Sequence, residues 1–110
     1  MTAAAGYNSR SLQTLRDLGF TAQVVERYDA YTRRRHDLFG IIDILAVGNG
    51  ETLAVQVTSR SNMSSRRNKM NGDPILAELL RAGWRVELWG WDQPGGSRTR
   101  WRLKTENMDR

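Results

Sequence analysis

Asp43 is the residue whose surroundings point most directly to chemistry. It interrupts an apolar run over residues 41–47, and a second apolar run, over 52–59, carries Gln56 toward its far end. An ionised carboxylate inside such a run is costly to bury unless it is paired or binds a metal. The chain has no Cys and a single His, which argues against the usual zinc site. The oxygen donors favour a hard cation such as Mg²⁺, or Mn²⁺.

The two apolar runs predict adjacent antiparallel strands. Gly48-Asn49-Gly50 lies between them, and Asn-Gly tolerates the positive φ angles of a tight hairpin turn. Asp73 followed by Pro74 predicts the start of a helix, and Gly83 predicts its end. The polar segment 60–72 is either a loop or a short exposed helix.

The remaining elements are predicted from the periodicity of apolar residues and from the turn residues between them. A first helix is predicted from residue 9 or 11 to about 18, and an exposed connection over 29–37. Further strands are predicted at 22–28, 84–91 and 99–104. The sequence therefore predicts an α/β fold in one domain, residues 1–110 with a core at about 9–104. Its order is αβββαβ, with a small mixed sheet flanked by helices.

The Asp-Leu-Phe-Gly-x-x-Asp segment that ends at Asp43, and the Gln-x-Thr-Ser segment that starts at Gln56, resemble the site strands of the PD-(D/E)XK nucleases. The match spans roughly residues 9–90, and small phage-type proteins related to Holliday-junction resolvases are the most similar group. The resemblance implies that Asp43 and Gln56 are metal ligands, together with the backbone carbonyl of Val57. It also implies a homodimer that acts on DNA.

One position departs from the family pattern. Thr58 stands where the family has a Lys that orients the attacking water. Because side chains alternate along a strand, Gln56, Thr58 and Arg60 are expected on one face. Arg60 is therefore one candidate for the missing positive charge, and Lys69 in the following segment is another.

Additional acids would strengthen a site in which Gln56 is neutral. Glu26 is either a further catalytic carboxylate or a solvated strand residue, and Asp37 is either a further ligand or a turn residue. His36 is either a general base or an ordinary surface residue.

Basic residues flank the predicted site strands. The net charge is +5, and Arg accounts for 15 of the 17 basic residues. Arg suits bidentate phosphate contacts, although genomic GC bias explains such a ratio equally well. The candidate nucleic-acid contacts form two clusters, Arg33, Arg34 and Arg35 before the hairpin and Arg66, Arg67 and Lys69 after it.

These observations favour a metal-dependent endonuclease that acts on DNA, with branched or structured duplex as the substrate. Two alternatives stay open. One is a catalytically inactive nuclease fold that binds DNA, and the other is a phage-type interaction protein that binds a host factor. No apolar run approaches the length of a membrane span, and no signal peptide is recognisable at the N-terminus. The expected location is the cytoplasm, that of the host cell if the chain is phage-encoded.

Overall fold

A computed structural model describes residues 3–109, with side chains described from residue 6. The helices and strands follow one another along the chain in this order: α1 (Ala3–Asp17), β1 (Thr21–Val24), β2 (Arg27–Asp29), β3 (Arg34–His36), β4 (Ile44–Gly48), β5 (Glu51–Ser59), α2 (Met63–Asn71), α3 (Pro74–Arg81), β6 (Arg85–Asp92) and β7 (Arg102–Asn107). Short 3₁₀ turns at Arg60–Asn62 and Pro94–Gly96 precede α2 and β7. None of the helices within residues 3–109 is long and apolar enough to cross a membrane.

Five strands form a mixed sheet in the order β1-β4-β5-β6-β7, while β2 and β3 form a separate two-stranded ribbon. The β5–β6 pair is parallel and the other pairs are antiparallel. A parallel pair requires a crossover connection, and here α2 and α3 supply it. The predicted α/β fold with a small mixed sheet flanked by helices is confirmed.

The central strand β5 is buried on both faces, as its continuous apolar run predicts. Val55 and Val57 pack with Leu15 of α1 on one face. Ala54 packs with Met70 of α2 and other residues of the opposite face. Gln56 and Thr58 lie on Ala54's side of the sheet, because side chains alternate along a strand.

Local signals fix two of the boundaries. Asn49 and Gly50 both have positive φ, 53° and 76°, which is the requirement of a type I′ hairpin turn between β4 and β5. Asp73 accepts a hydrogen bond from the Ile75 N–H at 3.0 Å and caps α3, with Pro74 at its first position. Both predictions from the sequence are confirmed.

Several element boundaries differ from those predicted. Helix α1 begins at Ala3, because the alanines before Gly6 have high helix propensity. The predicted strand 22–28 is divided between β1 and β2, since Asp29 turns the chain back and pairs it with β3. The strand predicted from residue 41 begins at Ile44, because residues 38–42 form a turn closed by a bridge between Leu38 and Ile42. The last strand lies at Arg102–Asn107, about three residues later than predicted.

Gly90 on β6 allows the start of α2 to pack closely against the sheet. A Cβ atom there would overlap the buried Met63 side chain and lie 3.2 Å from Arg60 Cα. We expect Gly90→Ala to lower the free energy of unfolding by about 1–3 kcal/mol through overpacking. Urea denaturation measures this. Gly6→Ala, which meets nothing within 4 Å, should leave stability unchanged or slightly raised; equal effects of the two changes would contradict this packing.

Candidate functional site

Asp43 is held at the start of β4 by hydrogen bonds to both neighbouring segments. Its N–H donates to the Val55 carbonyl at 2.9 Å, and its carbonyl accepts from the Val25 N–H at 2.8 Å. Its carboxylate oxygen Oδ2 accepts from the Val57 N–H at 2.7 Å and from the Gln56 side-chain amide. The backbone of the sheet therefore fixes this carboxylate in position, and only 5% of the residue is exposed.

This environment disfavours the charged form of Asp43. Burial, and after it the nearby Asp37 carboxyl, raise the pKa of Asp43 to about 8, against the lowering effect of the hydrogen bond from the Val57 N–H. The two hydrogen bonds do not offset the lost hydration. A positive charge in the site would favour the ionised carboxylate.

Two further carboxylates meet Asp43. Glu26, Asp37 and Asp43 each place one carboxylate oxygen within 4.8 Å of the others. Glu26 lies after β1 and Asp37 after β3, so the chain passes the same point three times, at residues 26, 37 and 43. Glu26 is oriented by Arg35 at 2.7 Å and by the Asn8 amide at 3.4 Å.

The turn between Asp37 and Asp43 explains why these two acids are close. Phe39 and Gly40 have positive φ, 54° and 80°, and the Gly40 N–H donates to the Asp37 carbonyl at 2.9 Å. The Asp-Leu-Phe-Gly-x-x-Asp spacing is thus a turn that brings its two acids together.

Gln56 carries an unsatisfied polar atom beside this cluster. The residue is fully buried, its amide nitrogen donates to Asp43, and its Oε1 has no hydrogen-bond partner among the described residues. Such orphaned buried oxygens are uncommon. Three carboxylates and an amide oxygen are donors that Mg²⁺ and Mn²⁺ prefer, so the residues present fit a divalent cation.

The acids face a cavity of about 230 Å³. Its lining combines the three acids with a strand backbone and polar or basic groups: Asn8, Glu26, Arg35, Asp37, Asp43, Val57 and Arg66. A phosphate group could reach both the carboxylate cluster and two guanidinium groups there. The cavity therefore has the composition required for phosphodiester chemistry with a cation.

Most of the predicted catalytic residues converge on this site. Asp43, Glu26 and Val57 line the cavity, and Gln56 contacts Asp43. Thr58 is buried, with 5% exposed. Arg60 does not line the cavity, since β5 ends at Ser59 and the chain turns away.

Arg60 lies instead near the Asp92–Arg102 ion pair. The pKa of Asp92 is lowered first by its hydrogen bonds to Arg102, and also by the charge of Arg60. His36 likewise lies outside the cavity and faces Asp29 at 3.7 Å.

The predicted basic residues are distributed over different environments. Arg66 and Arg35 line the cavity, and Arg35 is paired with Glu26. Arg67 is held by two hydrogen bonds to Glu106, one of them at 2.6 Å. Arg33, Arg34 and Lys69 are exposed.

Two features of the cavity are not evident from sequence patterns. Asn8 orients Glu26 from a helix distant in sequence, and no local signal connects them. Arg66 is one of the predicted nucleic-acid contacts, but α2 has low apolar content, so its sequence pattern does not indicate which of its side chains face the cavity.

Comparisons with known proteins agree with this architecture. No family model matches the sequence, and no curated protein matches it. Among solved structures, the chain is similar to Hjc of Archaeoglobus fulgidus, a Holliday junction resolvase from an archaeal hyperthermophile. The TM-score is 0.55 at 17% identity, and the alignment covers 93% of this chain and 71% of Hjc. The chain thus has the fold of that resolvase, in agreement with the predicted α/β fold in which helices flank a small mixed sheet.

The raised pKa of Asp43 makes the stability of the metal-free protein depend on pH. A carboxyl whose pKa rises from 3.8 to about 8 on folding stabilises the fold below pH 3.8, and this contribution is lost as pH rises toward 8. We expect the free energy of unfolding in EDTA to fall between pH 4 and pH 8, and Asp43→Asn to remove that decline.

At pH 8, the Asp43→Asn variant should exceed the wild type by on the order of a few kcal/mol. Denaturant titrations at several pH values measure both proteins. Glu78→Gln, which changes an exposed acid of α3, is the matched control and should follow the wild type. Parallel curves for Asp43→Asn and the wild type would contradict a buried, charge-disfavouring environment.

Proposed function

We propose that the chain is a metal-dependent endonuclease that cuts DNA, with branched or otherwise structured duplex as its substrate. The observation that carries this proposal is the meeting of Glu26, Asp37 and Asp43 in one cavity, on a fold shared with a Holliday junction resolvase. We further propose that residues 1–110 act as one domain. The expected location is the cytoplasm, that of the host cell if the chain is phage-encoded.

The three carboxylates would hold the cation, Mg²⁺ or Mn²⁺, with the carbonyl of Val57 and the amide oxygen of Gln56 as further candidate ligands. A divalent cation in such a site activates a water molecule and stabilises charge on the phosphate. The protein's own contribution is orientation: the Val57 N–H and the Gln56 amide fix one oxygen of Asp43, while Arg35 and Asn8 fix Glu26.

Arg66 is the best-supported substitute for the missing lysine. It lines the cavity with the acids and is only partly exposed, and its side chain makes no hydrogen bond or ion pair with the described residues. Its guanidinium group can contact a phosphate in a bidentate manner. We therefore assign to Arg66 the stabilisation of charge on the scissile phosphate, in place of Arg60 or Lys69.

Thr58 is the observation that favours the second candidate, an inactive nuclease fold that only binds DNA. Its side chain is neutral and buried and cannot supply the charge of the family's lysine. DNA binding would then rest on the exposed cations Arg33, Arg34 and Lys69. A homodimer is part of the leading proposal, because symmetric cutting of two strands calls for two sites related by a two-fold axis.

A cleavage assay tests the proposed function directly. The protein is incubated with a labelled four-way junction, a linear duplex and a single strand, in Mg²⁺, in Mn²⁺ and in EDTA. We expect metal-dependent cutting of the junction that Asp43→Asn reduces at least about 1,000-fold while DNA binding persists. Binding of DNA without cutting in either metal would instead support the inactive nuclease fold. Cutting by Asp43→Asn at the wild-type rate would show that the active site does not lie in this cavity.

Arg66→Gln tests the relocated charge. We expect the cleavage rate to fall about 100-fold or more, because a donor aimed at developing phosphate charge is lost, while junction affinity changes less than about tenfold. Arg66→Lys should recover part of the rate. Lys69→Gln, on the exposed side of the same helix, is the matched control and should retain cleavage; the reverse order of the two variants would assign the charge to Lys69.

A further inference from the structure

The β2–β3 ribbon is attached to the acidic cavity at both of its ends. Glu26 directly precedes β2 and Asp37 directly follows β3. The ribbon pairs only within itself, from Arg27 opposite His36 to Asp29 opposite Arg34, and it forms a sheet apart from the main one. Most of its residues on both faces are exposed, which indicates that residues 27–36, the ribbon with its turn, form an arm that projects into solvent.

The arm is strongly basic. It contains Arg27, Arg33, Arg34 and Arg35 against a single acid, Asp29. Asp29 is occupied within the arm, since its carboxylate accepts from the Tyr31 and Thr32 N–H groups at 2.9 and 3.4 Å. The hydrogen bond from the Tyr31 N–H, and to a smaller extent that from the Thr32 N–H, lower the pKa of Asp29. The ionised carboxylate therefore stabilises the turn. The charge of the arm complements a polyanion.

Tyr31 lies at the tip of this arm and is the most exposed large apolar side chain among the described residues, at 97%. The turn that carries it is held by Asp29, so the backbone presents the ring to solvent in a defined place. Because the ring is exposed, it contributes nothing to the packing of the core. A solvated aromatic ring followed closely in the chain by Arg33, Arg34 and Arg35 matches the combination of aromatic and basic residues that binds unpaired nucleic acid.

We propose that Tyr31 stacks on an unpaired or unstacked base of the DNA that the cavity holds, so that the arm recognises strand discontinuities beside the cleavage site. This inference rests on the proposed function for the presence of DNA in the cavity. Each strand of the arm has three residues and therefore extends about 10 Å. That length corresponds to about three base steps of one DNA strand. A protein partner is the rival occupant, and the basic character of the arm favours DNA.

Binding measurements in EDTA test the stacking without cleavage. Fluorescence anisotropy compares a four-way junction, a duplex with a single-stranded flap, and a continuous duplex, for the wild type, Tyr31→Ala and Tyr31→Phe. We expect Tyr31→Ala to weaken binding to the junction and flap about 5- to 100-fold, with little change for the continuous duplex. Tyr31→Phe keeps the ring and should bind like the wild type. Leu18→Ala, which truncates another exposed apolar residue, is the control.

The salt dependence separates this role from general phosphate contacts. Tyr31→Ala should leave the slope of affinity against salt concentration unchanged, whereas replacing Arg33 and Arg34 by Gln should reduce it on every DNA. Equal affinities for Tyr31→Ala and the wild type on all three DNAs would overturn the stacking, as would an equal loss on the continuous duplex. If the wild type cleaves the junction but Tyr31→Ala binds all three DNAs as the wild type does, the stacking is overturned while the proposed nuclease function is retained. If Tyr31→Ala selectively loses flap binding but the wild type cleaves no DNA, the stacking is supported and the proposed nuclease activity is contradicted.

Discussion

The burial of one carboxylate is the constraint on which the rest of the site depends. Asp43 is fixed between β1 and β5 by its own backbone and receives two hydrogen bonds on one oxygen. These contacts orient the group, but burial and the neighbouring Asp37 still raise its pKa to about 8. The fold therefore holds Asp43 in an environment that disfavours its ionised form, and a bound metal ion would favour that form. This conflict between stability and position is typical of functional sites.

The topology explains how so small a chain assembles three acids. The central strand β5 supplies the Val57 N–H and the Gln56 amide, and its neighbour β4 begins directly after Asp43. Residues 26 and 37 are separated by an arm that leaves the sheet and returns to it. Arg35 within the arm pairs with Glu26 at its base. The structure of the arm and the geometry of the cluster are thus physically coupled.

The sequence was sufficient where local chemistry decides the structure. The Asn-Gly turn, the Asp73 cap and the buried strand β5 were predictable because each depends on residues adjacent in the chain. The β2–β3 arm was not predicted, since strands of three charged, exposed residues have no apolar alternation. Asp43 and Gln56 were identified as candidates because polar groups interrupt apolar runs. Which basic side chain lies close to them could not be inferred, because that depends on tertiary packing.

Arg60 and Arg66 illustrate that last point. Alternation along a strand predicts that Arg60 shares the face of Gln56, but the rule applies only while the strand continues. The chain leaves β5 after Ser59, and Gly90 on the adjacent strand allows the following turn and α2 to approach the sheet closely. That close approach is what gives a residue of α2, Arg66, access to the acidic cavity.

The charges that the resemblance to PD-(D/E)XK nucleases predicts for two strands lie on other elements in this structure. Gln56 in the acid position is neutral and donates to Asp43, which a carboxylate could not do in its ionised form. A Glu there would place another negative charge against an already disfavoured carboxylate. Glu26 and Asp37 bring carboxylates to the cavity from outside the strand, and Arg66 brings a guanidinium group to it from a helix, whereas Thr58 is neutral. The site is therefore defined by the charges that meet in the cavity, and the positions of those charges in the sequence are secondary.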